Sequence, residues 1–160
     1  MNNQRSVKQS IELLEVMSNK KTLDECRVLG KKPKKKQQPE AQEQKALFQW
    51  AKLQECKYPQ LKLMFAIPNG GSRHPIEAKN LKLQGVKPGI PDIFLPVPKR
   101  CKESGQIICC GLWLEMKAEK GKLQDNQKEW LDTLNGQDYY ATVVYGWEEA
   151  VKTILEYLET

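Results

Sequence analysis

Two apolar runs near the middle of the chain, DIFLPV (92–97) and IICCGLWLEMK (107–117), are joined by the polar stretch PKRCKESGQ (98–106). Both runs have strand character, and side chains on a strand alternate between faces. Glu115 and Lys117 therefore share one face, and Leu114 and Met116 share the other. A Glu and a Lys on the more enclosed face of a central strand are costly without a purpose. Asp92 opens the first run directly after PGIP (88–91), a turn stiffened by two prolines and eased by Gly89. A loop of the length of 98–106 can return the chain antiparallel and bring Asp92 beside Glu115.

The flanking segments fix the class. Residues 40–57 carry Ala46, Leu47, Trp50, Ala51 and Leu53 on one helical stripe. Residues 61–67 read as a strand ending at Pro68, residues 68–74 (PNGGSRH) as a glycine-rich loop, and residues 75–85 as a helix stopped by Gly85. A helix at 123–135, a strand at 139–145 and an amphipathic helix at 147–158 follow. The order α β α β β α β α implies an α/β layered domain. Ahead of it, residues 7–17 suit a short amphipathic helix, and KKPKKKQQP (31–39) suits a linker. The expected division is a basic N-terminal extension, 1–38, and one globular domain, 39–160.

Charge is distributed unevenly. Residues 1–38 hold ten Lys/Arg against four Asp/Glu, residues 62–128 hold twelve against six, and residues 129–160 hold one against seven. One surface should attract polyanions and another repel them, although chance clustering on a solvated surface gives the same counts. No run is long and apolar enough to span a membrane and the N-terminus lacks a secretory apolar core, so residence in a cytoplasm is expected. Five cysteines without a CxxC pair argue for reduced thiols rather than a disulfide framework or a zinc site.

Two carboxylates side by side raise each other's pKa, and a divalent cation removes that penalty. Mg²⁺ or Mn²⁺ suits hard oxygen donors and keeps waters for chemistry. Beside such an ion, Lys117 can hold or deprotonate an attacking water, or stabilise charge developing on a phosphate. Those parts suit phosphodiester hydrolysis. The same residues also fit a simple Glu–Lys ion pair on a half-exposed strand.

The string Gly85-Val-Lys-Pro-Gly89-Ile-Pro91-Asp92, followed by Glu115-Met-Lys117, Gly121 and Gln127, resembles the virus-type replication-repair nuclease (VRR-NUC) domain of the PD-(D/E)xK superfamily. The resemblance runs from about Glu40 to about Leu158 and is strongest to short stand-alone members from phages and bacteria. It implies a restriction-endonuclease-like fold, a central mixed sheet flanked by helices. It implies Asp92 and Glu115 as metal ligands, the backbone carbonyl of Met116 as a third, and Lys117 as the catalytic lysine. It further implies an acid on the first helix, matched best by Glu43 and next by Glu40, and a site glutamine at Gln127. Where the family often has a serine before that glutamine, this chain reads KLQDNQ, with Asp125 or Asn126 as candidate helix caps.

Asn69, Arg73 and the glycines between them match a loop that can grip phosphate. Lys87, Lys99, Arg100, Lys120 and Lys122, with Lys79 and Lys82, are candidates for backbone contacts. His74 is the single histidine and gives little support to histidine-based chemistry. The expected activity is a metal-dependent, structure-specific endonuclease acting as a homodimer on Holliday junctions or flaps, in replication, repair or recombination. A non-catalytic DNA-binding protein of the same fold and a sequence-preferring restriction-type enzyme are the alternatives.

Overall fold

Strand β5 (Leu112–Lys117) is the centre of the molecule, and its burial follows from its neighbours on both edges. The computed structural model describes residues 40–68 and 75–159, the side chains of 75–78 excepted. The helix expected at 7–17, the linker at 31–39 and the loop residues Asn69, Arg73 and His74 lie outside the described residues. Along the described chain come α1 (Glu40–Gln54), a 3₁₀ turn (Pro59–Leu63), β1 (Phe65–Ala66), α2 (Pro75–Leu83) and β2 (Ile93–Leu95). Then follow β3 (Lys99–Arg100), β4 (Ile107–Cys109), β5, α3 (Asp125–Asn135), β6 (Tyr140–Tyr145) and α4 (Trp147–Glu159).

The sheet order is β1-β2-β5-β6, with β1–β2 and β2–β5 antiparallel and β5–β6 parallel. It is the mixed sheet flanked by helices that the resemblance implies. On one face, Leu112, Leu114 and Met116 are buried with Ile93, Leu95 and Val144 against α1 (Leu47, Trp50, Ala51) and α4 (Ala150, Val151, Ile154). On the other, Leu131 and Leu134 of α3 cover Ala141, Val143 and Trp113. The larger aliphatic layer thus lies opposite Glu115 and Lys117. They share the face on which α3 packs, and both are buried there, so the expected cost of enclosing a Glu and a Lys stands.

Two strand expectations change. Residues 61–63 form a 3₁₀ turn, not a strand: Pro59 starts it, and the i, i+3 spacing of the turn buries Leu61 and Met64 together. The run 107–117 is two strands, because β4 turns away to form a separate hairpin with β3, whose partners are Lys99↔Cys109 and Arg100↔Ile107. The break falls at Gly111, where an added Cβ would lie 2.7 Å from Cε2 of Phe94. Helix α2 ends as expected. Gly85 at φ +91° lets Val86 N–H reach Leu81 O at 3.0 Å and Gly85 N–H reach Lys82 O at 3.1 Å, a paired helix stop that a side chain at Gly85 would strain.

Candidate active site

The β2–β5 register pairs Ile93 with Leu114, and one step further it sets Asp92 directly opposite Glu115. The Asp92 carbonyl accepts from Ile67 N–H at 2.7 Å, so its backbone groups face β1. Asp92 and Glu115 are therefore a non-hydrogen-bonded cross-strand pair, the type with closer side chains, about 4.5 Å between Cα atoms. One more step sets Pro91 opposite Met116. A proline has no N–H to offer the Met116 carbonyl, while the Met116 N–H donates to Asp92 Oδ2 at 3.1 Å.

Glu115 is 1% exposed and Lys117 is 6% exposed. Lys117 Nζ donates to Glu115 Oε1 at 2.6 Å and lies 3.7 Å from Glu40 Oε1. Gln127 Nε2 donates to the same Glu115 oxygen. The other oxygen, Oε2, is buried without a hydrogen-bond partner. Burial pushes the Glu115 carboxyl up to about 7, with the Asp92 charge adding to the rise and the Lys117 hydrogen bond opposing it. Asp92 is raised too, first by burial, against the Met116 N–H bond. Burial works to discharge Lys117, but the hydrogen bond to Glu115 and the surrounding carboxylates together keep its ammonium form favoured.

A buried carboxylate oxygen with no donor is expensive unless something positive meets it. That orphaned oxygen, the carboxylate opposite it and a carbonyl facing a proline suit a hard divalent cation. Among the described residues no three His, Cys, Asp or Glu side chains form a metal-binding cluster. The groups that could hold an ion are accordingly the Asp92 and Glu115 carboxylates and the Met116 carbonyl.

The family model of the VRR-NUC domain matches residues 32–148. The chain belongs to the VRR-NUC family. A solved structure of a VRR_NUC domain protein resembles it with a TM-score of 0.63 and 25% sequence identity, over 76% of this chain and 89% of that one. No curated protein matches this chain. Membership makes it a nuclease domain of the PD-(D/E)xK type, a hydrolase family that acts on DNA and generally uses divalent metals.

Within this VRR-NUC domain, Asp92, Glu115, Lys117 and Gln127 come together, and Glu43 does not join them. Glu43 Oε2 accepts from Trp147 N–H at 2.9 Å, which fastens α1 to the start of α4. Glu40, the next acid by resemblance, is the one near Lys117. Neither Asp125 nor Asn126 caps α3. Gln124 is the N-cap, and its N–H donates to Gln127 Oε1 at 3.0 Å. Since that N–H needs an acceptor, the Gln127 amide nitrogen is left to face Glu115. The spacing Gln-x-x-Gln was the available signal, a variant of the reciprocal cap usually written with Ser or Thr.

Of the candidate DNA contacts, Lys87, Lys120 and Lys122 are exposed on the loops that precede Asp92 and follow Lys117. Arg100 is partly committed, donating to Gly105 O at 3.1 Å, and Lys99 lies 5.6 Å from the centre of the Tyr157 ring. Sequence reasoning missed a latch: Trp130 Nε1 of α3 donates to Pro88 O at 3.0 Å, tying the turn before Asp92 to the helix that carries Gln127.

Proposed function

We propose that this VRR-NUC domain is a metal-dependent, structure-specific endonuclease that hydrolyses phosphodiester bonds in branched DNA such as Holliday junctions or flaps. The single observation that carries the reading is the buried Glu115 carboxylate, with one oxygen lacking any donor, opposite Asp92 and beside Lys117. An ordinary surface ion pair would leave those oxygens in water. Mg²⁺ or Mn²⁺ held by Asp92, Glu115 and the Met116 carbonyl would polarise a phosphoryl oxygen and lower the pKa of a bound water.

The chain's own groups then divide the work. Asp92 and Glu115 supply the negative charge that holds the cation. Lys117, an ammonium buried between carboxylates, donates to an attacking water or to the charge growing on phosphate. Gln127 holds Glu115 in one orientation. Lys87, Lys99, Arg100, Lys120 and Lys122, with Asn69 and Arg73 of the loop, contact the backbone and set register rather than sequence. The basic extension 1–38 tethers DNA ahead of a domain beginning near residue 39. A homodimer would present two such centres to two strands. A cytoplasmic setting, in a bacterium or a phage-infected cell, is part of this reading.

The test is a cleavage panel of four-way junctions, flaps and plain duplexes of unrelated sequence with Mg²⁺ or Mn²⁺. Junctions or flaps should be cut by the wild type irrespective of sequence, and left intact by Asp92→Ala and Lys117→Ala. Intact substrates with wild-type protein in Mn²⁺ would leave a DNA-binding protein only. Cutting confined to one duplex sequence would indicate a restriction-type enzyme.

A further inference from the structure

A row of aromatic rings lies on the same sheet face as the acid pair. Phe94 follows Asp92 by two residues and Trp113 precedes Glu115 by two, so each ring shares its acid's face. The registers Phe65↔Phe94 and Phe94↔Trp113 align three rings across β1, β2 and β5. Phe94 is stacked on Trp113 with centroids 4.1 Å apart, and Phe65 meets Phe94 edge-on at 5.8 Å. The missing side chain at Gly111 is what admits the Phe94 ring.

Helix α3 covers only the β5–β6 half of this face. Over β1 the row ends in the open, with Phe65 48% exposed. What sets Phe65 apart from other exposed apolar side chains is its place: it is the open end of a packed aromatic row on the strand beside Asp92, where a ring can take a further stacking partner.

We propose that Phe65 and the adjoining edge of Phe94 form a stacking platform for an unpaired nucleobase next to the phosphate held by Asp92, Glu115 and Lys117. This rests on the nuclease reading and deepens it: an unpaired nucleotide is the recognised feature, so within that substrate class flaps are favoured over fully paired four-way junctions. Phe94 lies about 7 Å along β2 from Asp92, and Phe65 lies one strand spacing of about 4.8 Å further out on β1, a reach that one extended nucleotide covers from phosphate to base. In an intact duplex each base face is covered by its neighbours, so only an unpaired nucleotide has a free face to offer. Stacking tolerates any base, which suits structure-specific rather than sequence-specific recognition.

The test uses the full chain with Phe65→Ala, Phe65→Leu and Phe65→Tyr, each checked by thermal melting. The probe is DNA carrying 2-aminopurine either unpaired at a flap base or paired within a duplex, bound in Ca²⁺. Wild type and Phe65→Tyr should quench the unpaired probe. Phe65→Ala and Phe65→Leu should lose the quenching and bind the unpaired probe roughly 5- to 100-fold more weakly, with duplex affinity unchanged. Undiminished quenching in Phe65→Ala, or equal losses on both probes, overturns the platform. So does a change from dimer to monomer in Phe65→Ala without loss of quenching, which would assign the ring to an interface between copies. Because binding is read without cleavage, a wild type that binds and quenches but never cuts removes only the nuclease reading.

Discussion

Gln127 links helix α3 to the strand beneath it through Glu115, its amide nitrogen donating to Oε1 while its amide oxygen accepts the Gln124 N–H. One side chain therefore both starts a helix and orients a carboxylate. Gln127→Ala should lower cleavage or metal affinity about 10- to 100-fold, as losing the partner of a ligand does. It should also cost about 1 kcal/mol of stability from the lost cap. Gln127→Glu keeps the cap but sets a second carboxylate against the buried Glu115, so activity should stay lost and stability should recover only at acidic pH, where the two share a proton. Single-turnover rates and thermal melts check both, and a Gln127→Ala variant cutting within twofold of wild type would detach Gln127 from the site.

Glu115 makes the stability of the metal-free protein depend on pH in an unusual direction. Its carboxyl is raised from an ordinary 4.5 to about 7, by burial above all. Between those values the folded protein holds a proton that the unfolded chain has released, so stability falls as pH rises through the window. The loss above pH 7 is of order 3 kcal/mol, and the raised Asp92 adds to it in the same direction. In EDTA the melting temperature should fall between pH 5 and 8, and Glu115→Gln should flatten that slope. Mg²⁺ or Mn²⁺ should raise the melting temperature more at pH 8 than at pH 5, since the ion replaces the proton. A wild-type profile that rises over this range in EDTA contradicts the assignment.

The two acids of α1 should separate cleanly. Glu43→Ala removes the acceptor of Trp147 N–H at the start of α4 and should cost about 1 kcal/mol of stability, with cleavage nearly intact well below the melting temperature. Glu40→Ala changes a half-exposed side chain near Lys117. It should leave the melting temperature almost unmoved and slow cleavage, by altering the charge around the lysine. Reversed phenotypes in melting and rate measurements would put Glu43 back in the site.

The acid pair was legible in the sequence because it follows from local rules. Strand alternation sets the face of Glu115 and Lys117, and the turn before Asp92 together with a returning chain sets the register. The choice between Glu40 and Glu43 was not legible. They are one helical turn apart, and which of them meets Lys117 depends on how α1 crosses the end of the sheet. The 61–67 run was misread because 3₁₀ burial at Leu61 and Met64 leaves no pattern distinct from an apolar strand. The break at Gly111 was hidden because its cause is the ring of Phe94, distant in sequence. Helices α3 and α4, with clear apolar stripes, fell within a residue or two of their expected limits.

The turn before Asp92 is held from two sides by α3, and that hold can be measured. Gly89 has φ +84°, and a Cβ there would lie 2.7 Å from Asn126 Nδ2, while Trp130 fixes Pro88 through its indole N–H. Trp130→Phe keeps most of the ring and removes about 1 kcal/mol of hydrogen bonding. It should loosen Asp92 relative to Glu115, lowering metal affinity and cleavage together while KM for DNA stays near wild type. Gly89→Ala carries two costs, about 1–2 kcal/mol for the left-handed backbone and a clash with Asn126. The double variant Gly89→Ala/Asn126→Gly should recover the clash but not the backbone cost, a partial rescue readable as non-additivity in melting temperature and cleavage rate. Strict additivity would mean that Asn126 does not restrain the turn, leaving the Trp130–Pro88 hydrogen bond as the hold of α3 on it.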